Sequence, residues 1–468
     1  MRTPDRRRAS ALPGGPLAKY RSVGCGTILG MPATRVEASR IVTIGSLIAA
    51  GVAALCYLVY SVRAVEPVDF LVYRYAAQVF AAGSNIYEGN LSGPLIVDEG
   101  MPFTYTPFAV IFLWPTVLFD WWTAYLLWSG LCIAALVWTV AMFTPARVPK
   151  RPLVMAALVL AVSVTPIVSA HISFGQVNLV LMALVLLDVT RREDSRFGRW
   201  FPRGLLIGVA AAIKLTPALF IVYFVVTKQW RLAIWSSIGF AAATAVAAVV
   251  DPAVSWTFWS DVVWNLSDRV DLSGQAIASA GNSSLQGGLA ALGPWTASLA
   301  MPSTVLCAGV ALWIARDVYR VGRAVDAALV IGLSAPILSP ISWIHHWVYL
   351  VPAAVTVLFR LRSPLQFGAA AVGLAVVYCG PSMGQQFIET SPLLLPLGLV
   401  LREGFLIVTL VLILALWRLP TTAPEWITGR DSEDDSGDSE HDKAPDSAGN
   451  QGPSRIEAGF RTRSSGDR

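Results

Sequence analysis

The stretch Glu66-Pro67-Val68-Asp69-Phe70-Leu71-Val72-Tyr73-Arg74-Tyr75 comes directly after a long apolar run, so an acid pair, a guanidinium and two phenols lie just beyond a membrane face. A carboxylate there can reach both a lipid-borne donor and an aqueous acceptor. Inverting glycosyl transfer needs one base to take the acceptor hydroxyl proton while an oxocarbenium-like centre forms, and a partly desolvated Asp69 suits that task. The competing structural reading has Asp69 capping the following helix or pairing with Arg74. A second group of interest is Lys214, in Ala210-Ala211-Ala212-Ile213-Lys214-Leu215-Thr216-Pro217. An ammonium flanked by apolar residues is costly in a membrane unless it has a partner or reaches water. An anionic phosphate is its natural partner, with Thr216 and a helix N-terminus near Pro217 adding donors. Snorkelling of the long side chain to the interface is the alternative.

Other polar clusters punctuate the apolar sequence. Ser339-Pro340-Ile341-Ser342-Trp343-Ile344-His345-His346-Trp347 holds two of the four histidines. Adjacent histidines point to different helix faces and no third ligand is evident, so a phosphate or leaving-group role fits His345 and His346 better than a metal site, with packing beside the tryptophans as the alternative. In His171-Ile172-Ser173-Phe174-Gly175-Gln176-Val177-Asn178, the amides of Gln176 and Asn178 suit sugar hydroxyls, or else helix capping and inter-helix hydrogen bonding. Tyr73 and Tyr105, the latter in Pro102-Phe103-Thr104-Tyr105-Thr106-Pro107, offer faces for a sugar ring or serve as interfacial belt residues. The connector 251–299 adds Asn282 and Gln286 as candidate headgroup contacts.

These groups need a scaffold, and composition says which kind. Of 468 residues, 55% are hydrophobic and 14% charged, which does not describe soluble domains. Mean hydropathy is +0.59. Apolar runs of membrane-crossing length recur from 40–62 to 399–417, predicting an all-α polytopic protein of about ten to twelve helices. The run 107–119 is too short to span and reads as re-entrant or interfacial. Three regions follow: a basic N-terminal tail at 1–39, a membrane domain at 40–418 and a tail at 419–468. From Asp431 to Asp446 that tail carries eight acidic residues against one lysine, so it cannot bury a core. The five cysteines stand singly, with no metal or redox spacing. Net charge is +5, gathered in short connectors without a basic stripe, which speaks against a nucleic-acid partner.

Arginine and lysine concentrate in the N-tail, at Arg147/Lys150/Arg151, from Arg191 to Arg203, at Lys228/Arg231, at Arg316/Arg320/Arg323 and at Arg360/Arg362. The positive-inside rule makes those connectors cytoplasmic and puts the polar clusters outside. Keeping both Arg203 and Lys228 inside requires 204–227 to be a short hairpin broken near Lys214–Pro217.

Taken in order, Asp69-Phe70-Leu71-Val72-Tyr73-Arg74, Tyr105-Thr106-Pro107, Gly175-Gln176-Val177-Asn178-Leu179, Ile213-Lys214-Leu215-Thr216-Pro217 and the Ser339 to Trp347 segment resemble the polyprenol-phosphate-mannose-dependent alpha-(1→2)-mannosyltransferases of mycobacteria, in glycosyltransferase family 87. The resemblance implies a C-type glycosyltransferase fold with a catalytic first extracytoplasmic loop, a polyprenyl-phosphate-mannose donor, and a mannosylated glycolipid or lipoglycan acceptor at a plasma membrane. By the family pattern the acid after the first helix, Asp69, is the base. Lys214, His345, His346 and Arg74 then fall to the donor phosphate, and Tyr73, Tyr105, Gln176, Asn178 and Asn282 to sugar or acceptor. No cofactor and no metal is implied. An arabinofuranosyltransferase using the analogous donor is the rival within this class, and a transporter of lipid-linked sugars the rival outside it.

Overall fold

In the computed structural model the described residues are 33–62, 67–93, 96–191, 200–270 and 277–421. Chain contacts divide the protein into Met1–Thr428 and Gly429–Arg468. The second unit, Glu66 and the acidic stretch from Asp431 lie outside the described residues, and the fold below is that of the first unit.

That unit is helical. Helix α1 (Ala33–Val62) already begins inside the segment assigned to the N-terminal tail. Among the described residues four helices are individually long and apolar enough to cross a membrane: α4 (Trp121–Phe143), Trp230–Val250, Pro294–Arg320 and Pro364–Thr390. Two bent pairs pass the same test together, α5 (Arg151–Ser163) with α6 (Pro166–Phe174) at 66°, and Pro392–Arg402 with Gly404–Arg418 at 53°. The remaining apolar runs form shorter helices, including Asn178–Thr190 (α7) and Ala324–Leu338. Their outward residues are apolar and exposed, for example Leu127, Leu131, Ile234, Val249, Leu306 and Val411. Such surfaces are stable against hydrocarbon rather than water, and this is a multi-pass membrane protein.

Three local features position the site. Helix α2 (Val68–Ala81) follows α1 and buries Phe70, Leu71, Val72 and Tyr73. A two-stranded antiparallel ribbon comes next, β1 (Leu91–Gly93) with β2 (Ile96–Met101), which the turn-rich sequence did not reveal. Helix α3 (Pro107–Leu113) then runs into a 3-10 turn, Trp114–Leu118, with Pro115 at its start, an element too short to span, as its length in the sequence implied.

The segment around Lys214 is a hairpin, as the charge pattern required. Helix Leu205–Ile213 ends at Lys214, whose backbone is extended (φ −141°, ψ 132°), and a 3-10 turn at Thr216–Ala218 leads into helix Leu219–Val226. Gly204 lies against Leu232 and Ser236, and Gly208 against Ser236 and Phe240, so the first arm runs parallel to Trp230–Val250. The second arm must descend, because the short connection at Thr227–Gln229 feeds that same helix. Lys214 is therefore at the tip.

Candidate active site

The tip of the hairpin, the start of α2, the α6–α7 turn and the Ser339–His346 corner converge on one cavity of about 740 Å³. Asp69, Tyr73, Tyr105, Gln176, Lys214, His345 and His346 all line it, although they come from five separate stretches of sequence.

Asp69 sits in the first turn of α2 behind Pro67, and no side chain caps that helix, so capping is not what holds the carboxylate. It accepts a hydrogen bond from Gln176 and feels the charge of Lys214. Burial outweighs both contacts and pushes its pKa up to about 6. The carboxyl thus lies beyond the apolar spans in a site with little water, where desolvation favours the neutral acid.

The Gln176 orientation follows from its neighbours. Its Oε1 lies 3.2 Å from the Tyr73 hydroxyl, 3.1 Å from that of Tyr105 and 3.3 Å from Asn178 Nδ2. With the oxygen so engaged, the amide nitrogen is the end left for Asp69. Tyr73 and Tyr105 are themselves joined, hydroxyl to hydroxyl at 2.6 Å, with rings edge to face.

Opposite the carboxylate stands a cationic corner. Lys214 Nζ donates to Asn178 Oδ1 at 3.0 Å and reaches Tyr105 Oη at 3.5 Å and His346 Nε2 at 3.4 Å. A neutral imidazole can accept that contact. The Asn178 amide also donates to the His345 carbonyl at 3.1 Å, and the two imidazoles cross edge to face at 4.7 Å. Lys214 therefore has protein partners, all of them neutral. Among the described residues its charge is compensated locally only by Asp69, which leaves an opening for an anion.

Backbone geometry sets these side chains. Gly175 ends α6 in the left-handed conformation (φ 69°), and a Cβ there would lie 2.4 Å from Phe70 Cβ. Only glycine lets the α6–α7 turn approach α2 so closely that Gln176 meets Asp69. Helix α4 secures the turn: Tyr125 donates to the Ile172 carbonyl at 2.9 Å and Trp128 to that of Gly175 at 2.9 Å. His171 Nε2 accepts from the Leu179 backbone at 2.9 Å, fixing the start of α7. Thr106 hydrogen-bonds the Ala212 carbonyl and ties the loop bearing Tyr105 to the hairpin.

Four candidate residues, Arg74, Asn178, Asn282 and Gln286, do not line the cavity. Arg74 is five positions beyond Asp69, roughly 140° around the helix. Its guanidinium donates to the Thr116 carbonyl, joining α2 to the turn after α3. Asn282 is buried with its amide spent on backbone: it donates to Ile277 and Pro340 carbonyls at 3.0 Å each and accepts from Ser284 at 3.1 Å and Ser342 at 2.9 Å. It braces the corner carrying the histidines, and no group is left for a sugar. Asn178 likewise stands behind the cavity wall, holding Lys214 and Gln176. Sequence reasoning missed Phe258, Leu266 and Val270, which close one side, and Pro381 and Ser382, brought in by a kink at Gly380. Only Gly380-Pro381 carried a local signal, as a helix breaker. Among the described residues no three histidine, cysteine or acidic side chains cluster as a metal site would need.

Comparison with known proteins adds a second line. The model of glycosyltransferase family 87 matches residues 103–340, which contain Tyr105, Gln176, Asn178 and Lys214 but not Asp69 or the histidine pair. A polyprenol-phosphate-mannose-dependent alpha-(1-2)-phosphatidylinositol mannoside mannosyltransferase of Mycolicibacterium smegmatis is 30% identical over 351 residues, covering 67% of this chain and 75% of its own. Its Mycobacterium tuberculosis counterpart is 29% identical over 308 residues, covering 62% and 70%. A polyprenol-phosphate-mannose-dependent alpha-(1-2)-phosphatidylinositol pentamannoside mannosyltransferase of Mycolicibacterium smegmatis is 32% identical over 282 residues, covering 59% and 65%.

Proposed function

Since the chain belongs to glycosyltransferase family 87, we propose that it transfers mannose from polyprenyl-phosphate-mannose to a mannosylated glycolipid or lipoglycan, forming an alpha-(1→2) link with inversion, at the extracytoplasmic face of a plasma membrane. One observation carries the reading. A carboxylate of raised pKa and a lysine–histidine corner face one cavity sunk among apolar helices, which pairs a base with a seat for a leaving phosphate.

Asp69 takes the proton from the acceptor hydroxyl as that oxygen bonds the anomeric carbon. The bond from that carbon to the phosphate oxygen breaks, and polyprenyl phosphate departs with the electron pair. Lys214 and His346 stabilise the charge growing on the phosphate, an electrostatic contribution aimed at the leaving group. Gln176, fixed by Tyr73, Tyr105 and Asn178, holds the base. The apolar lining suits a lipid-borne donor, and the connectors opposite the cavity carry the arginines and lysines, which supports an outward-facing site.

The test is transfer of radiolabel from polyprenyl-phosphate-mannose to a mannosylated phosphatidylinositol by the purified chain in lipid, beside Asp69→Asn. Transfer by the wild type alone is expected, since the amide cannot accept the proton. Label moving equally with both proteins removes Asp69 as base. Label moving only from the arabinose analogue overturns the mannose assignment.

A further inference from the structure

Helices that meet at the site carry a second cavity at their other ends. Ala324–Leu338 has its last residues at the active-site corner and its first, Val325 and Asp326, at this cavity. Likewise, α7 begins with Asn178 and ends with Thr190 there, and Leu350–Leu358 follows the histidines and leads to Phe359 and Arg360. A helix of that length puts the two cavities ~20 Å apart. The second one measures about 390 Å³. It lies among the basic connectors, at the level where lipid headgroups meet helix ends.

Among the described residues its charges do not balance. Asp326 accepts from Arg360 Nη2 at Oδ1 and from Arg323 Nε at Oδ2, each at 2.8 Å. One carboxylate thus serves two guanidiniums. Arg323 spends its remaining nitrogens on the Leu416 and Trp417 carbonyls. Arg360 has no such outlet, and its Nη1 is buried without a hydrogen-bond partner. Nearby, Arg151 holds the Thr144 and Ala141 carbonyls at the end of α4, adding positive charge on that side. A buried guanidinium nitrogen without an acceptor is unfavourable, and a phosphate is the acceptor its planar geometry suits best. Met142, Phe143, Pro145, Val325 and Phe359 give apolar wall, and Thr190, Thr356 and Thr421 add hydroxyls. A cation beside apolar walls at the mouth of a helix bundle matches a lipid headgroup with its glycerol backbone.

We propose that this cavity binds the phosphate of an anionic phospholipid headgroup through Arg360, at a site separate from the transfer chemistry. The chemistry is shared with free phosphate, so the experiment separates the two. The full chain in neutral detergent is titrated with phosphatidylglycerol, with phosphatidylcholine and with inorganic phosphate, and bound ligand is read by native mass spectrometry. Wild type should retain one phosphatidylglycerol in preference to phosphatidylcholine. Arg360→Gln should weaken retention by about tenfold or more, as loss of a charged hydrogen bond implies. Because that change also disturbs the Asp326 pair, Thr356→Leu serves as a second variant. It narrows the cavity while leaving the ion triad in place, and it should weaken phosphatidylglycerol retention as well. Equal retention by wild type and both variants overturns the proposal. So does inorganic phosphate binding as tightly as the lipid, which would make the site one for a free anion.

Discussion

Asp69 can accept a proton only when ionised, and burial holds its carboxyl at about 6, well above the ordinary aspartate range. Transfer measured as kcat/KM should therefore fall as pH drops through about 6, by about tenfold per unit below it, and level off above. A profile still flat a full unit below that value would mean that no carboxylate of this pKa limits the reaction. Lys214 makes a different prediction. Its ammonium is the strongest positive group on the cavity wall, so Lys214→Ala should raise the donor KM by about tenfold or more, the worth of a lost charge-assisted contact, while acceptor KM changes little. Parallel titrations of the two substrates distinguish these effects, and an unchanged donor KM would remove Lys214 from the phosphate. Lys214 stood out in the sequence as an ionisable group flanked by apolar residues, and Asp69 as a carboxylate just beyond the first apolar run, singled out as base by the family resemblance. The roles of Arg74 and Asn282 were not legible, since type and spacing say nothing of which helix face a side chain occupies or which backbone carbonyl it meets. Arg74 meets Thr116, 42 positions away, and Asn282 reaches Pro340, 58 positions away, besides its near neighbours.

At the scale of elements, the hairpin around Lys214 could be read from charge alone, because Arg203 and Lys228 had to share one side. The bend between α5 and α6 could not. Its cause is Thr165-Pro166, but a proline in an apolar run tells only that a break is possible, not that the chain turns by 66° toward the histidine corner. Gly175 ends the second half of that bend. Gly175→Ala should lower thermal stability by about 1–2 kcal/mol for the left-handed backbone alone, with a further cost from the clash against Phe70. Transfer should drop with it, because Gln176 is displaced from Asp69 although no reacting group has been removed. Melting curves beside label transfer test this, and a stable variant of full activity would show that the close approach of α2 and the turn is not needed.

Across the whole molecule, α7 behaves as a strut with both ends fastened to the hairpin. At the cavity end, Asn178 Oδ1 accepts from Lys214 at the tip. At the opposite end, Asp188 is fully buried, and its Oδ2 accepts from the backbone of Gly204 at 2.8 Å, Leu206 at 3.0 Å and Ile207 at 3.2 Å at the root. Its Oδ1 takes Arg191 at 2.8 Å. Ten residues separate the fastened positions on each strand, ~15 Å of helix in both, so the antiparallel pair is held in register. The two fastenings should fail differently. Asp188→Ala strips the acceptor from three N–H donors at a helix start and leaves a buried arginine short of its carboxylate, a loss of about 3–5 kcal/mol that should appear as reduced melting temperature and yield. Asn178→Ala removes no buried charge and no helix cap, so the protein should stay folded while Lys214 and Gln176 lose their common anchor. Its defect should be kinetic, with donor KM raised and kcat lowered together. If Asn178→Ala instead unfolded the protein while Asp188→Ala merely slowed it, the hairpin would be held from its tip, and the cationic corner would be part of the core rather than a site kept open for an anion.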